Sequence, residues 1–473
     1  MLASLCACGD GLAFPRGFLF GTAVAGFQVE MGCPTLPAAQ CEDRGSDWYA
    51  WVTTPALLAD PGTHLAGTPP SGGPGFFELY AQDLDRAAGP LHGNALRLSI
   101  EWSRVFPRST IGVADLHSAA SAEALAYYHA VFAAMKARGL SPLVTLNHYT
   151  LPAWLHDAAG CHADFAHCSP RGWLEPAAVG EAARYAGFVA AEFPEIQLWA
   201  TLNEPFTAVV VAGYLLPSES RTAPPGVSLE WAAAKGVYAA LVNAHARMFD
   251  AVKAAAPRAQ VGIVYNVQAA SPKDPARKAD VAAAANLSYL MNQVFLNAVA
   301  RGDFDAQLDG KAVHRADLAG RCDFIGVNYY IRATVESAGN SLFPEQTPYL
   351  TFNPFTMALV PDAAGLGEAL DFVKSYGKPI YITETGNGDA TDDAGAARWI
   401  QTTLRETRRA ISRGADVRGY FYWTLMDNYE WNHGMTWKLG LYAVDPADPL
   451  KLRTPRPLAI TALATAAQTG RAP

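Results

Sequence analysis

Residues 198–206, LWATLNEPF, and residues 379–388, PIYITETGNG, each run as an apolar, strand-like stretch that ends on a glutamate. Glu204 and Glu384 lie 180 residues apart, so they act together only if the fold brings distant strand ends to one place. A barrel of parallel strands does that.

Working outward from these two segments, strand-like runs are expected at 17–27, 94–99, 142–147, 197–203, 259–265, 323–328, 379–383 and 419–424. Between them, 121–138, 178–193, 229–256 and 279–300 place apolar residues three and four apart, the spacing of helices that cover a core with one face. The strands are apolar nearly throughout instead of alternating, which marks parallel strands covered on both sides. Eight strands separated by helices predict a single α/β domain, a (β/α)8 TIM barrel with extended rim loops.

Polar residues gather after these strands. Gln28 and Glu30 follow the first, Arg97 lies in the second, Asn147 and His148 end the third, and Asn203 and Glu204 end the fourth. Asn328, Tyr329 and Tyr330 end the sixth, Glu384 ends the seventh, and Trp423 ends the eighth, with Glu430 and Trp431 in the loop beyond it. One rim, the C-terminal face where barrel active sites lie, thus collects carboxylates, amides and indoles. Such a rim suits a sugar, with hydroxyls at its edge and C–H bonds on its faces. Paired carboxylates are what glycosidic-bond cleavage requires, one to protonate the leaving oxygen and one to attack or to activate water.

Each element also has a plainer reading. Asn203-Glu204-Pro205 reads as a helix start with Pro in the first turn, Thr383-Glu384-Thr385-Gly386 as an ordinary turn, Arg97 and Glu101 as a surface pair, and His148 or the tryptophans as core. Independent structural roles do not predict their collection on one rim in strand order.

At 473 residues, half hydrophobic and 17% charged, the chain can bury a large core without disulfides or metal. A barrel of this kind often exceeds 250 residues as one unit, so the Pro/Gly-rich stretch 61–75 reads as a loop within one domain. A net charge of −8 and a pI near 5.8 argue against a nucleic-acid partner, which needs clustered Lys and Arg. No apolar run reaches the length of about 18 residues that a membrane span takes.

Seven cysteines leave the compartment open. Cys33 with Cys41, and Cys161 with Cys168, are either local disulfides of an oxidising compartment or unpaired thiols of a cytoplasmic protein. His162 and His167, interleaved with the second pair, permit a metal site, although the spacing fits no established zinc pattern. No metal or cofactor is expected. Residues 1–14 read as a tail lacking the basic start of a signal peptide, or as the remnant of one, with Cys6 or Cys8 as lipid-attachment candidates in that case.

Seven segments resemble glycoside hydrolase family 1, the β-glucosidase and β-glycosidase group: FLFGTAVAGFQVE (18–30), LRLSIEWSRVFP (96–107), TLNHYTLPAWL (145–155), WATLNEPF (199–206), DFIGVNYY (323–330), YITETGNG (381–388) and the stretch from Gly419 to Asp445. The style of AGFQVEMG, SDWYAWV and LPAWLHD is similar to that of archaeal-type β-glycosidases. The resemblance implies a catalytic domain over 15–465 and a retaining exo-β-glycosidase for terminal β-D-glucosyl, β-D-galactosyl or β-D-fucosyl residues. It implies Glu204 as acid/base and Glu384 as nucleophile, their carboxyl groups about 5 Å apart. Two such like charges disfavour joint ionisation. Arg97 and Tyr330 would keep Glu384 ionised, leaving the proton on Glu204. Gln28, His148, Asn203 and Glu430 would hold sugar hydroxyls, with Asn328 beside them, and Trp423 and Trp431 would form apolar platforms. Glu430 would repel the phosphate of a 6-phosphosugar.

Departures from the family pattern are Leu439, Trp437 and Tyr149, the last standing where Trp commonly follows the His. They bear on which sugar is preferred. Transglycosylation through the same covalent intermediate and a carbohydrate-binding pseudoenzyme are the alternatives, and a homo-oligomer is one expected state.

Overall fold

The computed structural model describes residues 12–473; the tail's Cys6 and Cys8 lie outside the described residues. Eight parallel strands close into a barrel: β1 (Leu19–Ala23), β2 (Ala95–Ser99), β3 (Ser141–Asn147), β4 (Leu198–Asn203), β5 (Gln260–Asn266), β6 (Phe324–Tyr329), β7 (Ile380–Thr385) and β8 (Val417–Trp423). Each strand pairs with its neighbours in sequence, and β1 also pairs with β8, Leu19 against Gly419. The helices α1 (Phe76–Ala88), α2 (Ala122–Ala137), α3 (Ala178–Glu192), α4 (Trp231–Ala255), α5 (Lys278–Ser288), α6 (Leu366–Lys374), α7 (Asp393–Ser412) and α8 (Pro457–Thr469) follow the strands in turn.

Local chemistry accounts for these boundaries. Ser121 caps α2 by accepting from the Ala124 amide at 3.2 Å, and Asp392 caps α7 from the Gly395 amide at 2.8 Å, satisfying donors the first helical turn leaves free. The barrel interior holds a small apolar cluster that includes Ala23, Ala95, Leu143, Ala200, Val264, Phe324, Tyr381 and Phe421. The larger cluster lies between the strands and the helices and takes Leu96, Leu98, Ile263, Tyr265, Ile325, Ile380 and Ile382. Both faces of the strands are therefore apolar, as the continuous hydrophobic runs imply.

Three expectations are corrected in detail. The first strand stops at Ala23, not at residue 27, and Gly26–Val29 forms one helical turn folded across the end of β2, where the Gly26 amide donates to Ser99 Oγ at 2.7 Å. A side chain at Gly26 would collide with the Glu101 carboxylate, 2.7 Å from an added Cβ. The helix expected at 279–300 alternates α and π turns, with π segments at Tyr289–Gln293 and Asn297–Arg301. The folded unit also passes the limits 15–465: α8 runs to Thr469, and the Phe14 amide donates to the Gly470 carbonyl at 2.8 Å.

The Pro/Gly-rich stretch is a loop of this same unit, joined to the rim beyond β8 by the Ala66 amide on the Asn432 carbonyl at 2.8 Å. Cys33 is bonded to Cys41 and Cys161 to Cys168, and Cys322 is a buried free thiol. His162 meets Asp60 at 3.1 Å and the exposed His167 meets Asp164 at 2.9 Å, so the two histidines point to separate partners. No helix among the described residues is long and apolar enough to cross a membrane.

Candidate active site

The two glutamates reach one cavity because both strands that carry them are irregular. In β7, Ile380 and Ile382 face the helices while Tyr381 faces the barrel interior. Strict alternation would send Glu384 outward with the isoleucines. The pairing of β7 shifts between Ile382 and Glu384 against β6, where Asn328 directly follows Val327 as the partner. That bulge reverses the phase and turns Glu384 inward. In β4 the pairing shifts between Ala200 and Asn203, which likewise turns Asn203 into the interior.

Glu204 follows β4 with φ +44°, and Pro205 opens a π-helical turn, Pro205–Val211. The helix-start reading of Asn203-Glu204-Pro205 is thus met, and the same turn sets the Glu204 carboxyl on the cavity. Glu204 Oε1 accepts from Asn328 Nδ2 at 2.7 Å and Asn266 Nδ2 at 3.3 Å, and Oε2 accepts from the Tyr149 hydroxyl at 2.9 Å. Burial first, and the charge of Glu384 second, push its pKa up to about 7 against the pull of those donors.

Glu384 is held differently. Arg97 Nη1 donates to Oε1, and the Tyr330 hydroxyl donates to Oε2 at 2.7 Å. Arg97 is fully buried, its Nε on Thr145 Oγ1 at 3.1 Å and its Nη2 on Asn203 Oδ1 at 2.7 Å. The surface-pair reading of Arg97 and Glu101 therefore fails: Glu101 is buried too, accepting from Ser99 and Thr150 hydroxyls at 2.8 and 2.6 Å.

The remaining expected residues surround these carboxyls. Asn203 Nδ2 donates to His148 Nε2 at 3.2 Å. Burial and the Arg97 charge hold the His148 pKa well below its usual value, so its neutral ring keeps a proton on Nδ1. That nitrogen has no protein partner, and neither does Gln28 Oε1. Both belong to residues that line the cavity, and a buried polar atom without a partner is an exception in a folded protein. Gln28 Nε2 and Asn428 Nδ2 donate to Glu430 Oε2 at 2.9 and 2.7 Å. Burial raises Glu430 to about 7 as well, so near neutrality its charge is only partly present and its repulsion of a phosphate is reduced.

Trp423 and Trp431 line the cavity, each near-parallel to His148 with 16° between planes. Neither Asn203 nor Asn328 is among the residues that line it; Asn203 Oδ1 accepts from Arg97 Nη2 and Asn328 Nδ2. Asn328 Nδ2 is spent on Glu204 and on Asn203 Oδ1 at 3.1 Å, and its Oδ1 accepts from Thr383 Oγ1 at 2.8 Å. Asn328 thus clamps Glu204, with both ends of its amide engaged by protein groups. Glu30 turns away from the cavity, paired with Arg104 at 2.8 Å. Two residues were missed. Asn266 ends β5, the one strand given no rim residue, and the strand-end rule applied one position further would have found it. Tyr149 was read only as a departure from pattern.

The cavity, about 490 Å³, is completed by Ile331, Leu359, Pro361, Trp437 and Leu439. Among the described residues its lining contains no Lys or Arg. A chamber of this size lined by three carboxyls, Glu384 paired with a guanidinium and Glu204 and Glu430 each raised to about 7, can supply an acid and a nucleophile to one bond.

Comparison with known proteins agrees with that chemistry. The model of glycosyl hydrolase family 1 matches residues 11–460. The chain belongs to glycosyl hydrolase family 1. It is 33% identical to a β-galactosidase of Pyrococcus woesei, over 91% of this chain and 93% of that one. The β-glycosidase structure from Thermosphaera aggregans superposes with a TM-score of 0.82 at 28% identity, covering 98% of each chain. A β-glucosidase mutant derived from a hyperthermophilic tetrameric structure gives 0.81 at 28% identity, covering 98% and 97%. As a family 1 member the protein is a glycoside hydrolase built on a (β/α)8 barrel.

Proposed function

We propose that the protein is a retaining exo-β-glycosidase that removes a terminal, non-reducing β-linked neutral hexosyl residue, with Glu204 as acid/base and Glu384 as nucleophile. The observation that carries this reading is the unequal holding of two carboxyls in one cavity: Glu384 bound by Arg97 and Tyr330, Glu204 raised to about 7 by burial.

In the first step the Glu204 proton passes to the glycosidic oxygen while a Glu384 oxygen bonds to the anomeric carbon and the aglycone bond breaks. Forming the ester removes the charge of Glu384, so Glu204, now ionised, can take a proton from water as that water displaces Glu384. Arg97 spans the two half-sites through Asn203 and Glu384. Asn203 is the residue proposed to hold the 2-hydroxyl, a contact that strengthens in the transition state. Gln28, His148 and Glu430 are the proposed partners of the other hydroxyls, with Trp423 and Trp431 against the ring.

The absence of a Lys or Arg from the described lining supports a neutral sugar over a 6-phosphosugar. A relative named β-galactosidase and others named β-glycosidase and β-glucosidase support both galactose and glucose as candidates. The net charge of −8 supports the reading that nucleic acid is not a partner, and the relative derived from a tetrameric structure supports a homo-oligomer. Proton NMR of an aryl β-D-glucoside and an aryl β-D-galactoside during hydrolysis tests the mechanism. The β-anomer is expected first. An α-anomer first would exclude the covalent route, and no release from either would favour a binding protein.

A further inference from the structure

Tyr149 follows β3 with φ +73°, a left-handed conformation that a bulky side chain seldom adopts. Its ring packs against His148 and Trp431, with centroids at 4.9 and 4.7 Å, and its hydroxyl reaches Glu204 Oε2 at 2.9 Å. The two oxygens of Glu204 are not equivalent. Oε1 accepts from two amide groups, Asn328 and Asn266, which leaves it the poorer site for a proton. The proton of the acid form therefore sits on Oε2, and Tyr149 is the side chain that bonds to that atom.

Resting on the assignment of Glu204 as acid/base, we propose that Tyr149 is a positioning residue for the acid/base cycle: its hydroxyl aims Oε2 at the glycosidic oxygen and donates to Oε2 each time Glu204 is ionised. In glycosylation the Oε2–H bond breaks, the proton joins the departing oxygen, and the Tyr149 hydroxyl turns to donate to the new carboxylate. In deglycosylation water loses a proton to Oε2, bonds to the anomeric carbon, and releases Glu384. The phenol itself keeps its proton throughout. Burial, and then the charge of Glu204, hold its pKa well above the usual value, so it acts as a donor and not as a base.

The other groups facing Glu204 are Glu384 on β7, Arg97 on β2 by way of Asn203, His148 after β3, Tyr265 on β5, Tyr330 after β6 and Glu430 after β8. None of them is altered by Tyr149→Phe. A donor to the charged form lowers a carboxyl pKa, so removing the phenol hydroxyl should move the alkaline limb of kcat/KM upward by about one pH unit. With a dinitrophenyl glycoside, whose leaving group needs no acid, hydrolysis of the intermediate limits kcat. There kcat and KM should fall together by roughly tenfold, and azide, which needs no general base, should restore kcat. In a Glu204→Gln background the added Tyr149→Phe change should cost little further, because the two act as a unit.

An unmoved alkaline limb, a loss independent of the leaving group, or additivity with Glu204→Gln would each overturn the proposal. If Tyr149→Phe does not fold, 3-fluorotyrosine at position 149 gives the complementary reading: a more acidic phenol donates better and the limb should move down. No hydrolysis of any β-glycoside by the unsubstituted enzyme would overturn the acid/base assignment as well, and so is distinguishable from failure at Tyr149 alone.

Discussion

At the residue scale, the two carboxyls are made different by what touches them, and the pH dependence follows. Glu204 must be protonated to act as acid, and its pKa is raised to about 7. The competent form therefore dominates below that pH, and kcat/KM is expected to fall as pH rises through about 7. Glu430 titrates in the same range, so Glu430→Gln should remove one component of that limb and leave the other. Replacing Glu384 by Gln removes the charge that stands second to burial in raising Glu204. Its pKa should then fall, and a carbon-13 NMR titration of the Glu204 carboxyl that shows no downward movement would contradict the coupling. Glu384→Gly should abolish turnover, with azide restoring product formation; normal activity in that variant would remove Glu384 from the mechanism. The two carboxyls were legible as a pair from residue types at strand ends, whereas the contacts of Arg97 and Tyr330 with Glu384 were implied only by the family resemblance. The inward duty of Asn328 was not legible, because a side-chain amide at a strand end looks the same whether it faces a ligand or another side chain.

At the element scale, strand irregularity delivers the chemistry. The shifts in β4 and β7 bring Asn203 and Glu384 inward, and Gly386 makes room where β7 leaves the barrel. A Cβ there would stand 2.2 Å from the Trp423 carbonyl oxygen. Gly386→Ala should push the β8 rim aside, destabilising the fold by about 1–3 kcal/mol and lowering kcat/KM by about tenfold or more through displaced Trp423. Thermal melts and initial-rate kinetics check both parts, and wild-type values in each would show that the rim yields freely. Strand positions were readable from apolar runs between helical patterns. The bulges were not, since a one-residue slip leaves the local sequence strand-like and is revealed only by the partner strand.

At the scale of the whole molecule, the chain past the rim of β8 is tied back to the start of the barrel by a buried pair. Arg453 Nε and Nη2 donate to the two Asp83 oxygens at 2.9 and 2.7 Å, joining the segment before α8 to α1. Breaking it leaves the buried Asp83 carboxylate with only the more distant Arg86, at 3.5 Å, so Arg453→Ala should cost up to about 3–5 kcal/mol of stability, read in a denaturant titration. A change within experimental scatter would mean that Arg86 or water compensates Asp83. The sequence alone determined the eightfold alternation, the family and the rim that would hold the site, because hydrophobic period and the residue types of catalysis are written locally along the chain. Only the tertiary structure decided which rim residues line the cavity, that Asn328 and Tyr149 hold Glu204, and that burial raises the Glu204 pKa to about 7. Those outcomes depend on strand register, on burial and on charges brought together from opposite ends of the chain, and no local pattern encodes them.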